Sequence, residues 1–166
     1  MMKSPNLPSQ HELDSRPSLV RLIGEITPLM IQRFATTVGD HNPLYFDEAQ
    51  ARAAGHPTCI APPTFLPAVL GWGAGPQESD LMADGSDPAL VIPETVGYKF
   101  VGGGQTLTFY EPLYAGDIVS STKRLVEVSE RESRSGKLVF LVFETTYEAQ
   151  GGRRLIQCRE TLIARP

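Results

Sequence analysis

Between Asp40 and Tyr45 the chain sets a carboxylate, an imidazole (His41) and a phenol within six residues, folded back by Asn42-Pro43. These groups titrate far apart when unperturbed: about 3.9 for aspartate, about 6.5 for imidazole, about 10 for phenol. They are the currency of general acid–base catalysis. Each also has a plainer reading. Asp40 and Asn42 are turn residues that hydrogen-bond their own backbone. Tyr45 can be a core residue or the wall of a tunnel. His41 adjoins Asp40, and neighbouring side chains usually point apart.

Other candidate chemistry is thinner. His11, His41 and His56 show no metal-ligand spacing, and Cys59 and Cys158 form no CxxC pair. The expectation is no metal and two buried thiols in a reducing compartment. Gly102-Gly103-Gly104 is followed by no Lys-Ser/Thr, so a bulge or bend where a strand begins is expected rather than a phosphate loop. The net charge is −4, which disfavours nucleic acid and anionic membranes as partners. Lys123-Arg124 and Arg153-Arg154 read as solvated strand residues, with phosphate contact as the alternative. No run of 18 apolar residues is present, so no membrane span is expected. Residues 1–17 are polar and proline-rich, without a signal-peptide core. They read as a flexible arm ahead of one domain, 18–166, in a cytoplasmic protein.

The elements that must position these groups follow from periodicity. Ser18 to Glu25 suits an opening strand. Thr27-Pro28 caps a helix whose apolar face is Ile31, Phe34, Ala35 and Val38, closed by Gly39. Asp47 caps a second helix that Gly55 ends. Prolines 62 and 63 force an extended approach to an almost wholly apolar helix running from Pro63 or Thr64 to about Trp72, which must be buried. Phe65, Leu66, Val69, Leu70 and Trp72 are its expected core positions. Residues 73–88 read as a loop. Strands are predicted over 105–112, 118–129, 137–149 and 153–165, with 131–136 as a hairpin connection. A long antiparallel sheet needs cover on one face, and the apolar helix supplies it. The fold class is α+β: a single hot-dog domain, with the sheet wrapped around a central apolar helix.

Three segments together carry a family resemblance: residues 34–47 (FATTVGDHNPLYFD), residues 54–65 (AGHPTCIAPPTF), and residues 103–117, with Gly103-Gly104-Gln105, Tyr110-Glu111-Pro112-Leu113 and Ala115-Gly116-Asp117. The chain resembles the MaoC-like dehydratases, and among them the FAS1-like or N-terminal subgroup, over roughly residues 18–165. The resemblance implies hydration of trans-2-enoyl thioesters, or dehydration of (3R)-3-hydroxyacyl thioesters, on CoA or acyl carrier protein. It implies no cofactor beyond the CoA or phosphopantetheine of the substrate. It also implies a homo- or heterodimer with another hot-dog domain. In the family an Asp and a His five residues later hold the water, and a backbone N–H opening the central helix polarises the thioester carbonyl.

Two positions depart from that pattern. Asp40 and Asn42 match, but Tyr45 stands where active members carry histidine. Pro62-Pro63 stands where they carry a His-Gly pair, and proline has no N–H to donate. Thr64 offers the next one. The resemblance thus assigns Asp40, Asn42 and a vestigial or weak Tyr45 to catalysis, and Pro63, Thr64, Phe65 and Gln105 to substrate binding. Four functions remain open: a sister subunit lacking a complete dyad and shaping an acyl tunnel; a self-sufficient hydro-lyase using Asp40 with Tyr45 or His41; a non-catalytic acyl-thioester binding module; and a thioesterase. The last ranks low, because residues 62–77 contain no carboxylate.

Overall fold

A computed structural model of the chain describes residues 7–68, 78–81, 92, 95–133 and 136–165. Helix α1 (Gln10–Ser15) precedes strand β1 (Leu19–Glu25), helix α2 (Pro28–Thr37), a 3₁₀ turn at Pro43–Tyr45, and helices α3 (Glu48–Ala53) and α4 (Phe65–Ala68). Four long strands follow: β2 (Lys99–Phe109), β3 (Ile118–Ser133), β4 (Gly136–Ala149) and β5 (Arg153–Arg165). They join β1 in one antiparallel sheet of order β1-β3-β4-β5-β2.

Strand β4 shows why the sheet has an inner face. From Val139 to Ala149 every second residue is buried, as a strand buried on one side demands. Its cross-strand neighbours continue that face: Val119 opposite Ala149, Ile156 opposite Tyr147, Cys158 opposite Thr145. Two apolar clusters form there. The larger joins Tyr147, Ile156 and Val119 to Ile31, Ala35, Phe65 and Leu66 of the helices. The smaller joins Val139, Leu141, Phe143 and Ala164 to Ile92. Phe65 and Leu66 are fully buried as expected, and Phe65 meets Phe34 edge-on with centroids 5.4 Å apart. The expected remainder of the central helix, through Val69, Leu70 and Trp72, lies outside the described residues, as does most of the 73–88 loop. Glu78–Asp80 is a 3₁₀ turn.

Several expectations are adjusted. Within the N-terminal arm, Ser9 and Glu12 form a reciprocal capping box and Leu13 is buried, so residues 10–15 are helical and pack on β3. Val38 is exposed, not on the apolar face, because α2 ends before it. The triple glycine lies inside β2 rather than at its start: register slips between Gly102 and Gln105, and Gly104 has φ +106°. The β3–β4 hairpin is tighter than expected, with strand pairing reaching Ser133 opposite Gly136. Nor are the basic pairs simply solvated. Lys123 pairs with Glu160 on the inner face, and Arg153 pairs with the nearly buried Asp117.

Among the described residues no helix is long and apolar enough to cross a membrane.

Candidate active site

The Asp40–Tyr45 segment is held at both ends. Thr27 caps α2 through its side chain, and Gly39 (φ +73°) lets the helix reverse so that the Asp40 N–H reaches the Ala35 carbonyl at 2.9 Å. Asp40 Oδ1 then accepts from the Asn42 N–H at 3.2 Å, and Asn42 Oδ1 accepts from the Leu44 N–H at 3.1 Å. These are the local turn bonds the plainer reading foresaw, and they fix the direction of the next residue. Tyr45 points inward and is 5% exposed. Its phenol reaches the side chains of both Asp40 and Asn42.

That environment keeps the phenol protonated. Burial first, then the negative charge of Asp40, push the Tyr45 pKa above the ordinary tyrosine value, against a smaller opposing contribution from Asn42. A buried phenol next to a carboxylate donates a hydrogen bond well and accepts a proton poorly.

Tyr45 also opens onto a cavity of about 370 Å³. One wall is the approach to α4: Ile60, Ala61, Pro62, Pro63 and Leu66. The other comes from the end of β2 and the loop behind it, Phe109 to Leu113, with Ile156 at the back. The lining is mainly apolar, with Tyr45, Tyr110 and Glu111 as its polar side chains, a composition suited to an apolar ligand carrying a few polar atoms.

Backbone bonds tie these walls together. Ile60 N–H donates to Leu44, Ala61 N–H to Leu113, and Ala115 N–H to Cys59. Behind the loop, Asp117 accepts from the Tyr114 N–H at 2.8 Å and from Arg153, which also donates to the Pro112 carbonyl at 2.7 Å. Arg153 lies 3.7 Å from Glu111 and stacks over the Tyr114 ring.

The expected site residues divide accordingly. Asp40, Asn42 and Tyr45 come together, and Pro63 joins the cavity. Thr64 is exposed and outside the lining, so the next N–H after the two prolines is not presented to it. Phe65 is sealed in the core against Phe34. Gln105 lies away from the cavity on β2, where it accepts weakly from the Cys158 thiol at 3.8 Å. His41 is exposed, with its ring beside Phe46. His56 sits against Tyr114. Phe109, Tyr110 and Glu111 line the cavity although sequence reasoning gave none of them a site role, Tyr110 and Glu111 having entered only as part of the resemblance. The signal for them was the proline at 112, just past the strand; the Tyr110 hydroxyl donates to Gln157 at 2.8 Å and Arg154 stacks on its ring. Cys59 and Cys158 are buried free thiols, and burial raises the pKa of both.

Comparison with known proteins places the fold in a family. The model of the FAS1-like dehydratase domain region matches residues 23–158. A UPF0336 protein of Thermobifida fusca is 32% identical over 142 residues, 85% of this chain and 84% of that protein. The alpha subunit of 3-oxo-4,17-pregnadiene-20-carboxyl-CoA hydratase from Mycobacterium tuberculosis is 32% identical over 117 residues, 69% of this chain but 36% of that subunit. Among solved structures, the ChsH1–ChsH2 complex from Mycobacterium tuberculosis superposes with a TM-score of 0.72 at 25% identity, covering 87% of this chain and 82% of that one. The HadBC (3R)-hydroxyacyl-ACP dehydratase complex of the same organism gives 0.64 at 21% identity, covering 88% and 95%, a likeness of fold. The chain belongs to the FAS1-like dehydratase family, one of the MaoC-like hot-dog hydratases and dehydratases.

Proposed function

We propose that this chain is the sister subunit of an enoyl-thioester hydratase/(3R)-3-hydroxyacyl-thioester dehydratase, acting on acyl-CoA or acyl carrier protein thioesters. In this reading it shapes the acyl tunnel while a partner hot-dog domain carries the complete Asp/His pair. The observation that carries it is Tyr45. The residue facing Asp40 is a buried phenol whose pKa is raised, so it stays protonated where a catalytic base must be free. Proline at both 62 and 63 removes the N–H donors that would polarise a thioester carbonyl at this wall of the cavity. Loss of one such donor costs on the order of 100- to 1,000-fold in rate.

The partner has a natural place to dock. Strand β2 is a sheet edge, with Val101, Phe109 and Tyr110 exposed along it and just beyond its end. An open edge with apolar side chains invites pairing with another sheet. The similar proteins include hot-dog complexes, ChsH1–ChsH2 and HadBC.

The contact of Tyr45 with Asp40 favours one alternative, a self-sufficient hydro-lyase in which the phenol donates the proton and Asp40 holds the water. Hydration of crotonyl-CoA and of one long-chain enoyl-CoA by the purified chain, with Asp40→Ala alongside, separates the two. No turnover by the folded chain supports the sister-subunit reading. Turnover that disappears in Asp40→Ala overturns it.

A further inference from the structure

The inner face of the sheet carries a polar row that the Asp40–Tyr45 site does not use. Lys123 on β3 and Glu160 on β5 form an ion pair across β4, with the ammonium 4.6 Å from the centroid of the Phe143 ring. Their side chains are 21% and 27% exposed. Gln105 on β2 stands opposite Glu160 in register and accepts from the Cys158 thiol. Next to them is Tyr147 on β4, fully buried, whose hydroxyl has no hydrogen-bond partner among the described residues. Burial, then the proximity of Cys158 and Glu160, raise its pKa.

This row is expensive for the fold. A buried hydroxyl left unpaired costs about 1–3 kcal/mol. A largely buried ion pair seldom stabilises more than apolar side chains of the same size. Here the pair lies between the two apolar clusters of the inner face, beside the buried Ser121 and Thr145. Stability alone gives no reason for it.

Its position relative to the cavity suggests one. Ile156 lines the back of the cavity and pairs with Phe109 and Tyr147. The next inner-face residues along β5 are Cys158 and then Glu160. At about 3.4 Å per residue, Glu160 lies roughly 14 Å past Ile156. A chain leaving the cavity past the exposed Phe109 follows the inner face of β2 over the half-buried Leu107 and meets Gln105, then Glu160 and Lys123.

We propose that this row recognises an oxygen function at the far end of the acyl group. The preferred substrate is then an acyl thioester bearing a distal hydroxyl or keto group, not a plain alkyl chain. Lys123 donates to such an oxygen; Glu160 and Gln105 accept from a hydroxyl. The inference rests on the acyl-thioester reading above and narrows its substrate class.

The test is calorimetric titration of the full chain with decanoyl-CoA and with 10-hydroxydecanoyl-CoA, which differ only at the far end. The hydroxylated thioester is expected to bind at least about tenfold more tightly, since a polar site penalises a ligand that leaves it unpaired. Lys123→Met with Glu160→Leu removes both charges together, so neither is stranded, and should abolish the preference with the fold intact. Equal affinity for the two thioesters in the unaltered chain, or a preference that survives the double substitution, overturns this inference alone. Binding of neither overturns it together with the acyl-thioester reading.

Discussion

Tyr45 stands in the cavity wall across the Asn42-Pro43 turn from Asp40, whose negative charge, after burial, raises the pKa of the phenol. Asp40 is given a donor that holds its proton, and Tyr45 is given a neighbour that discourages its ionisation. A histidine in the same place would exchange its proton near neutrality. The backbone thus presents residue 45 toward Asp40, and the side chain there sets whether a proton can be exchanged near neutrality.

The first prediction concerns alkaline pH. Cys59, Cys158, Tyr45 and Tyr147 all have raised pKa values, each mainly because burial disfavours the charged form. A folded pKa above the unfolded one means the folded state holds its proton longer. The associated stability is complete below the unfolded values, about 8.5 for cysteine and about 10 for tyrosine, and is lost as pH rises beyond them. The melting temperature is therefore expected to stay level with respect to these groups up to about pH 8.5 and then fall. Replacing both cysteines with alanine should move the start of the decline toward pH 10. Thermal melts from pH 7 to 11 check this; an unchanged onset in the double variant contradicts it.

Arg153 and Asp117 support a second prediction. Asp117 is 8% exposed on its side chain and holds three groups: Arg153 at 2.5 Å, the Tyr114 N–H, and Gln150 at 3.5 Å. Arg153 adds the Pro112 carbonyl. Removing either partner strands the other in a poorly hydrated place, at a cost of about 3 kcal/mol. Asp117→Ala should cost more than Arg153→Met, because it also frees the Tyr114 N–H. Urea unfolding of both variants measures the order. Both should also loosen the Phe109–Leu113 wall, seen as faster hydrogen exchange of the Ala61 amide, which donates to Leu113.

The central contact of α4 gives a third. Phe65 is fully buried and edge-on to Phe34, so Phe65→Ala should cost about 3–5 kcal/mol through lost burial and the cavity left behind. Gly103→Ala tests a different kind of fit. A methyl there would sit 3.0 Å from Thr161 Cγ2, 3.1 Å from Ile163 Cγ1 and 3.1 Å from the Thr161 carbonyl. The backbone oxygen cannot move aside without disturbing the β2–β5 ladder. Denaturant midpoints should fall for both, and more for Phe65→Ala.

What the sequence revealed followed what is local. The alternation in β4 and the caps at Thr27 and Asp47 depend on neighbouring residues, and those elements formed where they were expected; of the expected central helix, Phe65–Ala68 is helical within the described residues. Lys123 and Arg153 were misread because their facing depends on register. Register slips at Leu125/Glu127 in β3 and at Tyr147/Glu148 in β4, and irregularities of this kind leave no clear mark in the sequence. The site was half legible for the same reason. The Asp40–Tyr45 turn is one contiguous segment, whereas the opposite wall comes from a loop more than sixty residues later, brought close by pairing of Ala61 with Leu113 and Ala115 with Cys59. Gln105 was assigned to substrate binding by resemblance alone, and its side chain meets Cys158 on the sheet.

The last prediction rebuilds what the site lacks. Tyr45→His restores a group that titrates near neutrality beside Asp40, and Pro63→Gly restores an N–H on the wall facing it. Neither change buries a new charge without a partner, since the imidazole would face the Asp40 carboxylate that now faces the phenol. If the cavity is otherwise a hydratase site, the double variant should hydrate crotonyl-CoA on the order of 100-fold faster than the unaltered chain, with each single variant gaining less, because base and carbonyl donor act in the same transition state. Measuring the four proteins side by side by loss of enoyl absorbance decides it. A double variant that folds, binds the thioester and shows no gain would mean that the cavity does not present the α,β-double bond to residue 45, and the functional reading would then lose its geometric basis.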